Sequence, residues 1–216
     1  MIVNCRLRPG QALAMQELQE LTGIGRTPLH QAVSRLAADT LIIVRPRYGL
    51  QIAPIDLARE RVLLRLRRDV ERFVIRLAAE RSGPTHRNQM LHMKRMLRDR
   101  RDQMGIDEFN VFDRRINQVI LTAAAEPFLE HTLRPLHTMF RRIGWIHYAH
   151  LKGQVSLHET IDCHLAVLDG VANRHVKEAM AKSDELIDFV DRMFDTMERD
   201  LDPTLLDCSI EPLSGV

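Results

Sequence analysis

Polar side chains interrupt the apolar faces of two segments that we predict to be helical, and they are of types that bind ligands. An α-helix turns about 100° per residue, which places Asp113 inside the apolar arc of segment 106–124 and Asn117 at the edge of the same face. In segment 155–173 the same projection directs His164 inward. A buried carboxylate is costly unless it is paired or binds a cation. The pattern predicts an interior binding site, with an ion pair from Asp113 to an arginine of a neighbouring helix as the alternative.

Arg67 is a further candidate, because it lies at the edge of the apolar arc of segment 56–82. A guanidinium in that position can hold a ligand carboxylate through two parallel hydrogen bonds. The alternative is a surface ion pair with Glu71, which lies four residues later on the same helical face. The sequence leaves the choice open.

The segment FRRIGWIHYAH contributes basic and aromatic side chains, beginning with Arg141 and Arg142. Trp145 can line a cavity or belong to a core or dimer contact, and the sequence does not decide between these roles. His147 and His150 are three residues apart and could share a metal ion, but no acidic residue lies beside them to complete a site.

Two segments resemble enzyme motifs and lack a required residue. HETID has the first histidine and the glutamate of a zinc-binding helix, but Asp162 replaces the second histidine. DRRDQMGIDE contains acidic residues without a glycine-centred calcium loop. The sequence has neither a phosphate-binding glycine loop nor a nucleophile elbow. We therefore expect a binding protein and not an enzyme.

The N-terminal quarter of the chain predicts a different site. GRTPLHQAVSRL places Thr-Pro at a helix start and then repeats apolar residues at helical spacing. LAMQELQEL forms a helix before it and ends at Gly23, while LIIV and LQIAP flank the turn residues RPRYG as a hairpin. This order is that of a winged helix-turn-helix, whose second helix enters the major groove of DNA. A plain amphipathic helix is the alternative interpretation of GRTPLHQAVSRL.

Arginines are placed where such a domain meets DNA. Residues 1–54 hold six arginines, no lysine and three acidic residues, whereas the rest of the chain holds 25 basic and 26 acidic residues. Arginine suits both phosphates and guanine edges. The residues that we predict to bind DNA are Arg26, Thr27, His30 and Arg35 at the second helix and Arg45, Arg47 and Gly49 in the wing.

From residue 56 onward the sequence is typical of one helix after another. The predicted helices are 56–82, 86–104, 106–124, 127–149, 155–173 and 175–199, separated at SGPT, Gly105, AEP and LKGQ. The pattern predicts a mostly α protein with an antiparallel bundle of about six helices. We expect a winged helix-turn-helix domain at 1–54, an effector-binding and dimerisation domain at 55–202 and an irregular tail at 203–216.

Composition constrains the class of protein only broadly. The 216 residues are 45% hydrophobic, 28% charged and 5% aromatic, as in a soluble globular protein with an aliphatic, helical core. Three widely spaced cysteines argue against a disulfide or zinc framework and fit the cytoplasm. We find neither an apolar run of about 18 residues nor a secretion signal, so we expect no membrane partner.

The segment LRPGQAL…IAP resembles the DNA-binding domain of GntR-family transcriptional regulators, whose pattern is PG-x-x-L, a helix, S-R-T-P-V-R-x-A-L-x-x-L-x-x-x-G-L and R-x-x-G-x-x-V. The helical remainder resembles the FCD domain of the FadR-like branch, so the resemblance covers residues 2–200. It implies a dimeric regulator that binds a pseudo-palindromic operator. It also implies that the bundle binds a small organic acid, often with a divalent metal held by one Asp and three His.

Several positions depart from the pattern in the DNA-binding part. The family normally has a helix before the PG segment, and we expect the winged domain to lack this first helix. Gly25 replaces the usual capping serine, and His30 replaces an arginine of the DNA-facing side. Asp39 and Thr40 replace a turn that ends in glycine. We expect these changes to weaken operator binding more than they affect the fold.

The metal ligands implied by the resemblance are only half present. Asp113 and His164 match two of them, whereas Asn117 and Leu186 occupy the positions of two histidines. Tight divalent sites normally have three or four protein donors, so we expect a zinc-type or nickel-type ion to be weakly held or absent. An organic effector is then expected to contact Asp113, Asn117, His164 and Arg67, which matches a family arginine, or these residues only shape the cavity.

These patterns together predict a homodimeric, cytoplasmic, DNA-binding transcriptional regulator that senses a small, carboxylate-bearing metabolite. The alternative is a metabolite-binding helical protein of the same family with weakened or lost DNA binding. An enzyme on the same bundle is disfavoured, because the sequence offers no complete metal or acid–base set.

Overall fold

The computed structural model describes residues 1–151 and 156–210 of the chain. They form two compact units. One unit consists of residues 1–56 together with residues 201–210, and the other consists of residues 57–200. The mostly α fold predicted from the sequence is confirmed, with a small sheet confined to the first unit among the described residues.

The first unit is a winged helix-turn-helix, as predicted. Its elements are β1 (Ala12–Leu13), α1 (Met15–Thr22), α2 (Arg26–Ala38), β2 (Ile42–Arg45) and β3 (Gly49–Ile52). The antiparallel strands lie in the order β1-β3-β2. The sequence did not reveal β1, because two residues are too short to show alternation. Residues 1–11, all within the described range, contain turns and no helix.

One face of α2 supplies the core of this unit. Leu29 and Val33 are buried there, with Leu18 of α1 and with Ile42, Leu50 and Ile52 of the sheet. The opposite face of α2 is exposed, including Arg26, His30 and Arg35. The amphipathic pattern of GRTPLHQAVSRL therefore describes a helix that packs on one side and presents basic residues on the other.

Residues 201–210 pack with the first unit instead of forming a separate irregular tail. Pro203–Leu205 form a short 3₁₀ turn. The carbonyl oxygen of Leu206 accepts a hydrogen bond from the amide of Ile55 at 2.8 Å, and the amide of Cys208 donates to the carbonyl oxygen of Pro9 at 2.9 Å. These pairings join residues that are far apart in the chain, so no local sequence pattern predicts them.

The second unit is an antiparallel bundle of six helices, as predicted. They are α3 (Leu57–Arg81), α4 (Pro84–Arg100), α5 (Ile106–Ala124), α6 (Pro127–His150), α7 (His158–Ala172) and α8 (Val176–Asp200). Prolines open α4 and α6, where the missing amide hydrogen is not needed. The predicted break at LKGQ and the predicted helix start at 155 fall largely on residues 152–155, outside the described residues.

Contacts with α8 hold the bundle together on two sides. Arginines of α3 pair with acidic residues of α8, as in Arg61–Asp195 at 2.8 Å and Arg72–Asp184 at 2.7 Å. Exposed pairs of this kind stabilise little and mainly favour one helix register. Gly170 of α7 lies against α8 so closely that an added Cβ would come within 2.8 Å of the Cα of Ala179. None of the helices in the described ranges has the length and apolar character needed to cross a membrane.

The turn after α2 contains a strained residue. Thr40 has a φ of 59°, the left-handed region that β-branched residues rarely adopt. This is the position where the family resemblance leads us to expect a turn that ends in glycine. Glycine adopts this conformation without a steric cost.

We predict that Thr40→Gly stabilises the first unit by about 1 kcal/mol, because the left-handed conformation costs other residues roughly that much. Amide hydrogen exchange of Leu29 and Val33, in the core of this unit, measures the change. Thr40→Ala keeps a Cβ in the strained conformation and is the control, with an expected change below about 0.5 kcal/mol. Faster exchange in Thr40→Gly would show that the turn does not store strain.

Candidate functional site

Three helices bring polar side chains together at Asp113, which is 7% exposed. One carboxylate oxygen accepts hydrogen bonds from His164 Nε2 and Asn117 Nδ2, each at 3.2 Å. The other accepts from Arg141 Nη1 of α6, also at 3.2 Å. The three residues predicted to share an interior site thus meet there. The alternative ion pair with an arginine of a neighbouring helix is present as well.

Hydrogen bonds define the orientation of the His164 ring. Its Nδ1 lies 2.7 Å from the carbonyl oxygen of Thr160, one turn earlier on α7. A peptide carbonyl only accepts, so Nδ1 carries a proton and donates it. Nε2 faces the Asp113 carboxylate at 3.2 Å. The edge-on ring of Phe109, 5.2 Å away between centroids, packs against the imidazole.

Asp113 remains ionised despite its burial. Burial by itself favours the neutral acid, but the hydrogen bond and charge of His164 and the charge of Arg141 outweigh it and hold the pKa of Asp113 well below its usual range. The interior therefore keeps a negative charge, which Arg141 and His164 contact from two sides.

A second charged network lies around Glu71 of α3. Its carboxylate accepts from Arg67 Nη2 at 3.1 Å and contacts His137 Nε2 of α6 at 2.7 Å. The Arg67 guanidinium also lies over the ring of Phe140, 5.1 Å from its centroid. Burial raises the pKa of Glu71, but the charge of Arg67 and the hydrogen bond of His137 outweigh this effect and lower the pKa to about 2. The Arg67–Glu71 pair that was one of the two alternatives is therefore present, but with the residues 5% and 7% exposed it is buried and does not lie on the surface.

The two networks border one cavity of about 50 Å³. A water molecule needs roughly 10–15 Å³ on the same measure, so the space accommodates a ligand of a few heavy atoms. Arg67, Asp113, Asn117 and His164, the four predicted effector-binding residues, all line it. Further lining residues include His137, Arg141, Phe140, Tyr148, Leu186 and Asn110. A smaller cavity of about 20 Å³ shares Asn117, His137, His164 and Leu186 with the first.

Two nitrogen donors on the cavity wall have no acceptor among the described residues. They are Nε of Arg67 and Nδ2 of Asn110, both buried. An unpaired buried donor costs roughly 1–3 kcal/mol. Filling the cavity with an acceptor such as a carboxylate would remove that cost.

The residues present do not fit a divalent metal site. No group of three or more His, Cys, Asp or Glu side chains within residues 1–151 and 156–210 is arranged to hold a metal. Leu186 offers the cavity only a hydrocarbon side chain, and Asn117 offers at most a weakly donating amide oxygen. Both oxygens of Asp113 already accept hydrogen bonds.

The histidines and tryptophan near the end of α6 have other roles. His147 is buried, and burial lowers its pKa to about 4, while the exposed His150 packs against the Trp145 ring instead. The indole Nε1 of Trp145 donates to Asp107 of α5 at 3.0 Å, and Trp145 is not among the residues lining the 50 Å³ cavity. Trp145 therefore joins α6 to α5.

The predicted DNA-binding side chains lie on the surface of the first unit. Arg26, Thr27, His30 and Arg35 are exposed on α2, and Arg45 and Arg47 are exposed at the wing. The Arg45 guanidinium is held along the sheet, because its Nε and Nη2 donate to Gln51 Oε1 at 2.9 and 2.6 Å. That Gln51 in turn donates to the carbonyl oxygen of Gly10 at 3.1 Å.

Gly49 shapes the wing. Its φ of 92° disfavours any other residue, and an added Cβ would lie 2.9 Å from the carbonyl oxygen of Leu13. Tyr48, just before it, is 85% exposed at the tip. Tyr48 is a wing residue that the sequence patterns above did not identify, although an aromatic residue between Arg47 and Gly49 in a turn is a recognisable signal.

His137 is the other residue that the sequence did not reveal. In PLHTMFRRIG it precedes Phe140, Arg141 and Gly144 by three, four and seven residues, which places all four on one helical face. The helical spacing therefore indicates that His137 shares a face with Arg141. Polar and apolar residues alternate irregularly in this segment, so the inward face is not evident from the sequence. The sequence shows Arg141 only as part of a basic segment and does not reveal its contact with Asp113.

A winged helix-turn-helix with an exposed basic helix, present in one chain with a helical bundle that contains a cavity, points to a DNA-binding transcriptional regulator as the class of protein. The family model "Bacterial regulatory proteins, gntR family" matches residues 1–52, and that of the FCD domain matches residues 62–189. The chain therefore belongs to the GntR family and carries an FCD domain. The family consists of transcriptional regulators and not of enzymes. The expected transcriptional regulator and the expected absence of an enzyme activity are both confirmed by this membership.

Individual relatives agree with this assignment. The chain is 27% identical over 153 residues to the HTH-type transcriptional repressor RspR of Escherichia coli K12, a match that spans 69% of this chain and 66% of RspR. The solved structure of E. coli McbR/YncC superposes with a TM-score of 0.78 at 17% identity, covering 92% of this chain and 93% of that one. A GntR-family regulator from Pseudomonas syringae pv. tomato DC3000 gives a TM-score of 0.53 at 18% identity, covering 91% and 81%. These similarities of structure show the shared fold.

We predict that Glu71→Gln lowers the unfolding free energy of the bundle by about 3 kcal/mol at pH 7, because Arg67 is left buried without its partner charge. Since the folded-state pKa lies below the ordinary value of 4.5, this stabilisation is complete above pH 4.5 and is lost as the pH falls toward 2. Fluorescence of Trp145, the single tryptophan, follows bundle unfolding.

Two variants complete this test. Glu80→Gln, at an exposed position of the same helix, should change stability by less than about 0.5 kcal/mol. The double variant Arg67→Met/Glu71→Gln should lose less than the sum of its single variants, because it leaves no unpaired guanidinium. If the losses of unfolding free energy in the two single variants add up to the loss in the double variant, Arg67 and Glu71 do not stabilise each other.

Proposed function

We propose that the protein is a DNA-binding transcriptional regulator whose bundle senses a small carboxylate-bearing metabolite. The observation that carries the sensing part is that two buried nitrogen donors, Arg67 Nε and Asn110 Nδ2, lack an acceptor among the described residues and border the cavity of about 50 Å³. A carboxylate supplies acceptors to such donors and charge to the guanidinium. Arg67, Asp113, Asn117 and His164 remain the residues that we assign to effector binding.

The exposed basic surface of α2 and the wing supports the DNA-binding part. Within residues 1–151 and 156–210, Arg26 and Arg35 form no salt bridge with a carboxylate, and α2 presents them on one side of the helix-turn-helix. Regulators of this architecture place the second helix in the major groove. RspR, to which the chain is similar, is a transcriptional repressor. Transcription takes place in the cytoplasm of bacteria, which is where we place the protein.

An exposed apolar stripe on α3 supports self-association. Val62, Leu66 and Phe73 are 61%, 49% and 43% exposed and lie on one side of the helix. Exposed apolar patches often mark interfaces. We therefore propose a homodimer, which would bind two DNA half-sites, and in which effector binding in the bundle changes affinity for DNA.

We predict that Arg26→Ala and Arg47→Ala each weaken DNA binding about ten-fold near physiological salt. Where the lost contact is to a phosphate, the slope of log affinity against log salt falls by about 1. Fluorescence anisotropy with the DNA upstream of the protein's own gene measures both quantities.

Arg114→Ala, at an exposed position of α5, is the matched control and should leave affinity and slope unchanged. Wild-type protein that binds this DNA no better than an unrelated duplex, with no effect of either wing or helix variant, would favour the alternative. In that alternative the chain is a metabolite-binding protein that has lost DNA recognition.

A further inference from the structure

The guanidinium of Arg141 occupies a defined place in the cavity wall. Its Nη1 donates to Asp113 at 3.2 Å, and its Nη2 donates to the hydroxyl of Thr138 at 3.1 Å, one turn earlier on α6. The side chain is 11% exposed. Arg141 is therefore fixed at two points, and its remaining N–H groups are available to a molecule in the cavity.

This position is incompatible with a metal ion on the same carboxylate. A divalent ion bound to Asp113 would lie within a few ångströms of the Arg141 guanidinium, and like charges repel strongly in a buried site. It would also have to replace the hydrogen bonds of Arg141, His164 and Asn117 to Asp113. Leu186 contributes no donor in return.

We propose that Arg141 takes the place of a metal ion beside Asp113, so that the bundle binds its carboxylate effector without a metal ion. The inference rests on the proposed sensing function for the identity of the ligand, but not for the absence of metal. Arg141 neutralises Asp113 from one side, as a metal would, and presents its free N–H groups to the ligand from the other.

The same geometry narrows the class of ligand. Arg67 and Arg141 belong to different helices and both line the cavity of about 50 Å³. A short carboxylate, or a dicarboxylate with one carboxylate for each guanidinium, matches that volume and that pair of charges. Malonate is a suitable probe, because it is small and carries two carboxylates.

The first experiment uses the full-length wild-type protein. Metal content is measured by mass spectrometry of the elements, and the thermal midpoint of Trp145 fluorescence is measured with EDTA, Zn²⁺ or Ni²⁺. We expect less than about 0.1 metal ion per chain and a midpoint that EDTA does not lower and neither ion raises. One bound ion per chain together with a lower midpoint in EDTA would overturn the proposal.

The second experiment tests Arg141 by substitution. In calorimetric titrations with malonate after EDTA treatment, Arg141→Met should weaken binding at least ten-fold, whereas Arg141→Lys should retain part of it. Arg134→Met, at an exposed position of the same helix, is the control and should bind as the wild type does. Equal affinity in Arg141→Met and wild type would overturn the role of Arg141.

A gain-of-metal variant separates this inference from the proposed function. Arg141→Met/Asn117→His/Leu186→His removes the guanidinium and adds two imidazoles, and we expect it to bind Ni²⁺ when the wild type does not. If malonate and related carboxylates bind to no form of the protein, the proposed sensing function fails, while the metal measurements still decide the place of Arg141. If Ni²⁺ binds equally to the wild type, the proposal about Arg141 fails regardless of the malonate result.

Discussion

The bundle depends on the neutralisation of two buried carboxylates, Asp113 and Glu71. A buried charge is tolerated only when partners surround it with good geometry. Each carboxylate is held by one arginine and one histidine, and these partners come from α3, α6 and α7. The arrangement therefore requires four helices to meet at one level of the bundle, and the cavity forms between the two charged clusters.

This constraint connects structure to function. Because the carboxylates hold Arg67 and Arg141 in place, the guanidiniums are ordered before a ligand arrives, and little conformational freedom is lost on binding. A ligand rich in hydrogen-bond acceptors would pair with the unsatisfied donors of Arg67 and Asn110, and this pairing would favour binding. The proposed coupling to DNA follows the general rule that a ligand shifts an equilibrium only by binding its states unequally.

Local patterns predicted much of the fold and part of the site. The six bundle helices and the helix-turn-helix with its wing follow from apolar periodicity and from proline and glycine at the element ends. The helical projection also placed Asp113 and His164 inside. What it missed depends on contacts between distant segments: the strand at Ala12–Leu13, the pairing of Leu206 with Ile55, and the burial of the Arg67–Glu71 pair beneath α6.

Electron density in the cavity would test the central claim most directly. A crystal structure of protein purified without chelator and soaked in malonate, with anomalous data to detect metals, should show a carboxylate within hydrogen-bond distance of Arg67 Nε and of the Arg141 guanidinium. Asp113 should still accept from Arg141 in that structure. A metal ion coordinated by Asp113 and His164 with Arg141 displaced, or malonate bound only outside the cavity, would contradict the account.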